Sequence, residues 1–374
     1  MSLDRIDDPG AFPYPHLVFH VDSLALRAWR RAGVLLGAYA DTDAFLLDLK
    51  LDHPALHYRI CRGVTALFGT ATVLAVFAAA FHGYRRRDVA LLAALLVAVN
   101  HLHVRDSHYG TVDVPMTFFV TLSLAFALRA LGTQARRDVV LSALAAGLAT
   151  SAKYNAGLVV LAPVTVVALT LWTSRGSPGA GGRWRRALVT LALAAIVMFA
   201  AVAATSPHVV LHWRDAVDGL LRERRSLFSG GGPPAWKIHL STTLPGAFGW
   251  PGFVIAALGL VRALWKRRPS DLVLLAFMVP AFASIATVKW VVARYALPFV
   301  PPLAILGAEV ALATLPARGP SLVGALVAVL ALPPLATSVA YDRLSARDDT
   351  RVQAAKWVTA NLPARTHVAI CRGY

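Results

Sequence analysis

Ten apolar runs, each bounded by charge or by glycine and proline, constrain this chain of 374 residues more than any other feature. The first, RICRGVTALFGTATVLAVFAAAFH at 59–82, is long enough to cross a bilayer as a helix. The others lie near 88–103, 113–131, 138–153, 156–173, 187–204, 246–265, 271–288, 291–313 and 320–340. A backbone inside hydrocarbon must satisfy its own polar groups, so such runs are helices. An all-α polytopic membrane protein of about ten transmembrane helices follows. The apolar share of 57% and the mean hydropathy of +0.59 agree with it.

Charge then gives sidedness. YRRRD (84–88), TQARRD (133–138), SRGSPGAGGRWRR (174–186), VRALWKRRPS (261–270) and PARGP (316–320) occupy every second loop. Lysine and arginine concentrate on the cytoplasmic side, so these loops are expected there. The opening stretch, SAKYN (151–155), the 205–245 loop, VKWVVARY (288–295) and both termini then face the exterior. The net charge of +17 does not point to nucleic acid, because it is spread over short loops with no continuous basic face. Cys61 and Cys371 offer neither a disulfide framework nor a metal spacing.

The flanks read differently. Residues 16–40 are apolar but carry Asp22, Arg27, Arg30 and Arg31, which suits a helix lying in the interface better than one crossing it. Residues 1–58 form a first exterior loop, and 59–340 form the bundle with its exterior loop at 205–245. Residues 341–374 resemble the start of an exterior α/β domain, with DTRVQAAKWVTANLP helical and RTHVAICRGY strand-like. Ten spans place the N-terminus outside, yet SLDRIDDPG after Met1 is polar. A further span upstream of Met1 is therefore expected, and the chain reads as truncated at both ends.

The exterior end of the bundle holds particular charges at membrane depth. Arg105, Asp106 and Asp113 lie between the second and third runs, and Lys153 and Tyr154 end the fourth. Lys289, Arg294 and Tyr295 sit near the start of the ninth. If the helices pack side by side, these residues line one cavity. Arginine binds phosphate oxygens through its planar fork, lysine acts as a point charge, and aspartate accepts a proton. Other roles stay open. Asp113 can cap a helix ahead of Pro115, Arg105 and Asp106 can form an interfacial ion pair, and Lys153 and Arg294 can snorkel. His101, His103 and His108 form no recognised ligand set. Arg222, Glu223, Arg224 and Arg225 read as a solvated or interfacial helix face. No internal repeat stands out, which disfavours a transporter or flippase of a lipid-linked or anionic substrate.

Five stretches in order resemble membrane glycosyltransferases of the GT-C fold, in the family of protein O-mannosyltransferases and aminoarabinose transferases. They are DPGAFPYPHL (8–17), RICRGVTALFGTATVLAVF (59–77), HVRDSHYGTVDVPMTFF (103–119), GLATSAKYNAGLVVLAPV (147–164) and ARYALPFVPPLAILGA (293–308). The resemblance implies a sugar donor linked to polyprenyl phosphate, an acceptor at the outer face and transfer with inversion. It names no cofactor beyond that donor and indicates no divalent metal. The partners it implies are membrane lipid, the polyprenyl-phosphate-linked sugar and an acceptor that is protein, lipid or polysaccharide. The implied location is a bacterial plasma membrane. By motif, Asp113 matches the family's second acidic residue, the catalytic candidate here. Lys153, Arg294, Tyr295 and Arg105 become candidates for the donor phosphate. The family's first acidic pair precedes the D-P-x-x-F stretch, and Asp7 and Asp8 stand too close to Pro9 to fill that place.

Overall fold

The computed structural model describes residues 14–53, 55–173, 175, 180–229, 231–313, 319–363, 366 and 367. Helix α1 (Leu17–Leu35) and the short α2 (Thr42–Leu47) lead into α3 (Leu56–Tyr84). Next come α4 (Arg87–Ala98), α5 (His101–Ser107), α6 (Asp113–Thr133), α7 (Arg136–Ala152), α8 (Leu161–Thr173) and α9 (Ala180–Thr205). Helices α10 (Pro207–Leu211), α11 (Trp213–Phe228) and α12 (Ala235–Ile238) form an excursion before α13 (Leu244–Lys266). The bundle ends with α14 (Pro269–Ala286), α15 (Val300–Ala313) and α16 (Pro320–Ser345), and α17 (Thr350–Asn361) follows. Tight 3-10 stretches, Tyr154–Val160 and Ala293–Phe299, lead into α8 and α15.

Each apolar run is a helix, but the count of about ten spans needs correcting. Among the described residues eight helices are long and apolar enough to cross a membrane, or nine if α4 and α5 are one broken span. The run at 88–103 is two helices meeting at 57°. Asn100 explains the break: its backbone is extended, and its side chain accepts from the His103 N–H at 3.1 Å, starting a new helix. The run at 138–153 is α7, with 17 residues. It nevertheless lies along the whole of α6. Thr133 at the end of α6 donates to Asp138 at 2.6 Å, and Lys153 beyond the end of α7 reaches Asp113 at the start of α6. Ser123 and Ser142 tie the two midway, each hydroxyl donating to the other's backbone carbonyl at 2.9 and 2.8 Å. Small polar residues serve as glue where no water competes. The chain is an integral, multi-pass membrane protein.

Helix α15 lies at the centre, 94% of its span window buried. Its backbone meets α13 at glycine: a Cβ on Gly259 would stand 2.4 Å from the Leu306 carbonyl. At the basic end, α3, α6 and α13 stop at Arg85, Gln134 and Arg267, all with positive φ near 50° to 56°. Left-handed backbone is unfavourable for a side chain by about 1–2 kcal/mol. Here it lets each helix reverse within two residues into the next.

Helix α1 carries more charge than a span tolerates and exposes Leu24, Trp29 and Leu35. Of RTHVAICRGY only Thr366 and His367 are described, and they are not strand; its other residues, and the motif residues 8–13 with Asp7, lie outside the described residues, while helix α17 covers most of DTRVQAAKWVTANLP.

Candidate functional site

Asp113 and Lys153 meet because of the α6–α7 hairpin. Both lie near 20 residues from the same two-residue turn, so at about 1.5 Å per residue they stand at nearly one height. Lys153 leaves α7 in extended backbone and points its ammonium at Asp113 Oδ1, 2.8 Å away. Arg294, from the 3-10 lead into α15, places its Nε 3.2 Å from Asp113 Oδ2. That contact is an ion pair without hydrogen-bond alignment, and Arg294 Nε has no hydrogen-bond partner. Tyr295 brings its ring under the Lys153 ammonium, 4.5 Å from the centroid. The Tyr14 ring lies 5.7 Å from it on another side.

Asp113 itself is sealed, its side chain 2% exposed. It makes no helix-capping bond, so the capping role open in the sequence is not the one it takes. The charge reaches solvent through Arg294. A cavity of ≈ 600 Å³ opens beside it, lined by Arg294, Arg62, Arg105, Asp22, Asp106 and Tyr109 among others. Arg105 and Asp106 do form the ion pair weighed from sequence, at 2.8 Å, while Arg105 still lines the cavity. The cavity therefore carries three guanidinium groups against two carboxylates and has net positive charge. Such a site holds a phosphate and its attached group better than a neutral ligand.

Two further acids belong to this site, although the sequence placed Glu223 on a solvated or interfacial helix face and Asp22 only among the charges of the interfacial helix. Glu223, on α11, faces Lys153 and Asp113. Burial pushes its carboxyl up, the Lys153 ammonium opposes the rise, and the Asp113 charge adds to it. Backbone bonds bring α11 there: the N–H groups of Lys289 and Trp290 donate to the Leu227 carbonyl at 2.9 and 3.1 Å. Lys289 thus contributes a backbone tie. Asp22, on α1, enters the cavity wall with Oδ1 lacking a hydrogen-bond partner, and burial raises its carboxyl to about 6. Helix α1 is held by the His16 N–H donating to Ser206 Oγ at 2.9 Å, beside a Ser151–Ser206 hydroxyl pair at 2.6 Å. A signal for Glu223 existed: the chain has only two glutamates, Glu223 and Glu309. For Asp22 the sequence offered nothing beyond its place in α1.

The three histidines separate. His103 is buried against the Gly69 carbonyl at 3.1 Å, and His101 packs on Tyr341. His108 is 3.5 Å from Asp342. Among the described residues no group of three or more His, Cys, Asp or Glu could hold a metal ion.

Residues 48–211 match the family model described as dolichyl-phosphate-mannose-protein mannosyltransferase. That stretch includes Arg105, Asp106, Asp113 and Lys153, and ends before Glu223 and Arg294. A comparison with curated proteins finds no match. Solved structures do match. ArnT from Cupriavidus metallidurans bound to undecaprenyl phosphate has a TM-score of 0.53 and 19% identity, over 82% of this chain and 52% of that one. The same protein in its apo state gives 0.52 and 21%, over 71% of this chain and 47% of that one. The archaeal oligosaccharyltransferase AglB from Archaeoglobus fulgidus, in complex with an inhibitory peptide and a dolichol-phosphate, gives 0.54 and 13%, over 96% and 52%.

This chain has the GT-C fold. It spans about half the length of the solved structures it matches. The Asp113–Lys153 pair joins α6 to the end of α7, and Glu223 of the α10–α12 excursion lies within reach of its charge.

Proposed function

We propose that this chain is the membrane core of a glycosyltransferase that takes a sugar from a polyprenyl-phosphate carrier and passes it to an acceptor at the outer face. The observation that carries this reading is the cationic cavity at the end of the bundle, backed by the buried Asp113 with Lys153 and Arg294 on either side of it. The GT-C fold, the mannosyltransferase family match and the carrier lipids held by ArnT and AglB support it.

In this reading Arg294, Arg105 and Lys153 hold the donor phosphate, and Tyr295 packs beneath Lys153. The acceptor hydroxyl gives its proton to a carboxylate as its oxygen attacks the anomeric carbon. The carbon–oxygen bond to phosphate breaks, and the lipid phosphate leaves as an anion stabilised by the cations. Attack opposite the leaving group inverts the anomeric centre. Asp113 stands behind the cations, outside the cavity lining, so its part is to fix Lys153 and Arg294 against the phosphate. Asp22 lines the cavity beside Cys61, and burial raises its carboxyl to about 6, which suits a proton acceptor close to neutral pH.

The test is sugar transfer from a polyprenyl-phosphate donor by membranes holding the native protein, Asp113→Asn or Asp22→Asn. Asp113→Asn is expected to lose transfer about a hundredfold or more while folding is retained. Near-normal transfer by folded Asp113→Asn removes it from the mechanism. No transfer by any of the three, the native protein included, with movement of lipid-linked substrate by all, makes the protein a transporter instead.

A further inference from the structure

A second cleft opens at the other end of the bundle, among α6, α7, α8 and α9, with a volume of ≈ 360 Å³. Three arginines from two helices line it, Arg136 on α7 and Arg183 and Arg186 on α9. Among the described residues no carboxylate does. The acid nearest in sequence, Asp138, is turned to Thr133 at 2.6 Å and Arg129 at 3.4 Å. Beneath the arginines the walls are apolar and buried, with Val139, Val166 and Val167 among them.

The arrangement is selective within its own sequence runs. Arg137 and Arg185 adjoin lining arginines yet line no part of the cleft. Helices α7 and α9 also both begin here, and helix N-termini carry partial positive charge. The apolar surface next to the arginines is the cleft's own wall, Val166, Val167 and Leu171 of α8 with Ala187 of α9, whereas the exposed Leu188, Ile196 and Phe199 lie on the opposite side of α9.

The geometry points to a binding site for an anionic phospholipid, its phosphate held by Arg136, Arg183 and Arg186 and its chains lying against α8 and α9. The ligand fits the charge, the apolar floor and the membrane setting together. The site is independent of sugar transfer. It lies at the end where the connections 84–88, 133–138 and 261–270 concentrate positive charge, the cytoplasmic leaflet by the charge rule.

Native mass spectrometry of the full chain in detergent tests it, titrating dioleoyl phosphatidylglycerol, dioleoyl phosphatidylcholine, inorganic phosphate and undecaprenyl phosphate. Phosphatidylglycerol is expected to bind at least tenfold tighter than phosphatidylcholine. The R136Q/R183Q/R186Q variant should lose that preference, and R137Q/R185Q should keep it within about twofold. Equal binding of the two phospholipids, or equal loss in both variants, overturns the assignment. So does retention of inorganic phosphate alone, or displacement of phosphatidylglycerol by undecaprenyl phosphate at lower concentration. If the triple variant does not fold, Arg186→Gln at its exposed position is expected to weaken phosphatidylglycerol about threefold, and no change there also overturns it.

Discussion

Each end of this bundle buries one carboxylate between two cations, and the two sites are built for different things. At one end Asp113 meets Lys153 and Arg294, at 2.8 and 3.2 Å. At the other Glu309, on α15, meets Arg268 at 2.9 Å and Arg262. The Glu309 site continues into protein. The Arg268 N–H donates to Asp271 at 3.1 Å, and Tyr84 donates its hydroxyl to the same carboxyl at 2.6 Å. It ties α3, α13, α14 and α15 together where their connecting turns reverse. The Asp113 site continues into a cavity, because Arg294 lines it and lacks an aligned hydrogen bond at Nε. The same charge types thus make a clamp where every group finds a protein partner, and at the other end they border a cavity where Arg294 Nε, Arg105 Nε and Asp22 Oδ1 lack one.

The contrast breaks most sharply on exchange of roles. Asp113→Asn is expected to cost transfer by the folded protein about a hundredfold or more, on top of a stability loss of about 3 kcal/mol from the unpaired Lys153 ammonium, whereas Glu309→Gln should leave transfer by the folded protein within about threefold. Equal activity losses in the two would make both ends structural. Glu309→Gln should likewise lower stability by about 3 kcal/mol, since it strands two guanidinium groups around a neutral amide. Denaturant unfolding in detergent micelles reads that loss, and an unchanged midpoint would show that the clamp holds nothing. Arg294→Ala is expected to weaken apparent donor affinity about tenfold, and Arg294→Lys to restore part of it, because lysine keeps charge but not the fork. Unchanged donor affinity in both variants would mean that Arg294 only reaches for the interface.

The smallest expected effect is a pH slope confined to the open end. Asp22 is raised in the fold from 3.8 to about 6, so between those values the folded chain binds more protons than the unfolded one. Stability should therefore fall as pH rises from about 4 to 6 and level off above, and Asp22→Asn should flatten the slope. Thermal unfolding at pH 4.5 and 7 measures it. A slope that survives Asp22→Asn assigns the proton to another group.

Much of this was legible in the sequence. The apolar runs placed every main helix, since a 20-residue hydrocarbon-compatible segment has few other uses. The motifs named Asp113, Lys153, Arg294, Tyr295 and Arg105, and the fold brings all five to one end. The break at Asn100 was missed because the apolar pattern runs through it, while a side chain capping a new helix turns the backbone. Glu223 and Asp22 were missed for a different reason. Their membership in the site depends on how α11 and α1 dock, through the Leu227 carbonyl and Ser206, and no local pattern encodes those contacts.

By itself the sequence determined that the chain lives in a bilayer, and that charge gathers at the ends of its helices. Hydrophobicity and charge act residue by residue and can be read in order. Only the tertiary structure decided which charges share a partner. Asp113 lies 40 residues from Lys153, and Glu309 lies 41 from Arg268. Whether such a group closes on itself or borders a cavity depends on helix packing, which brings distant residues together and is not encoded in any local pattern.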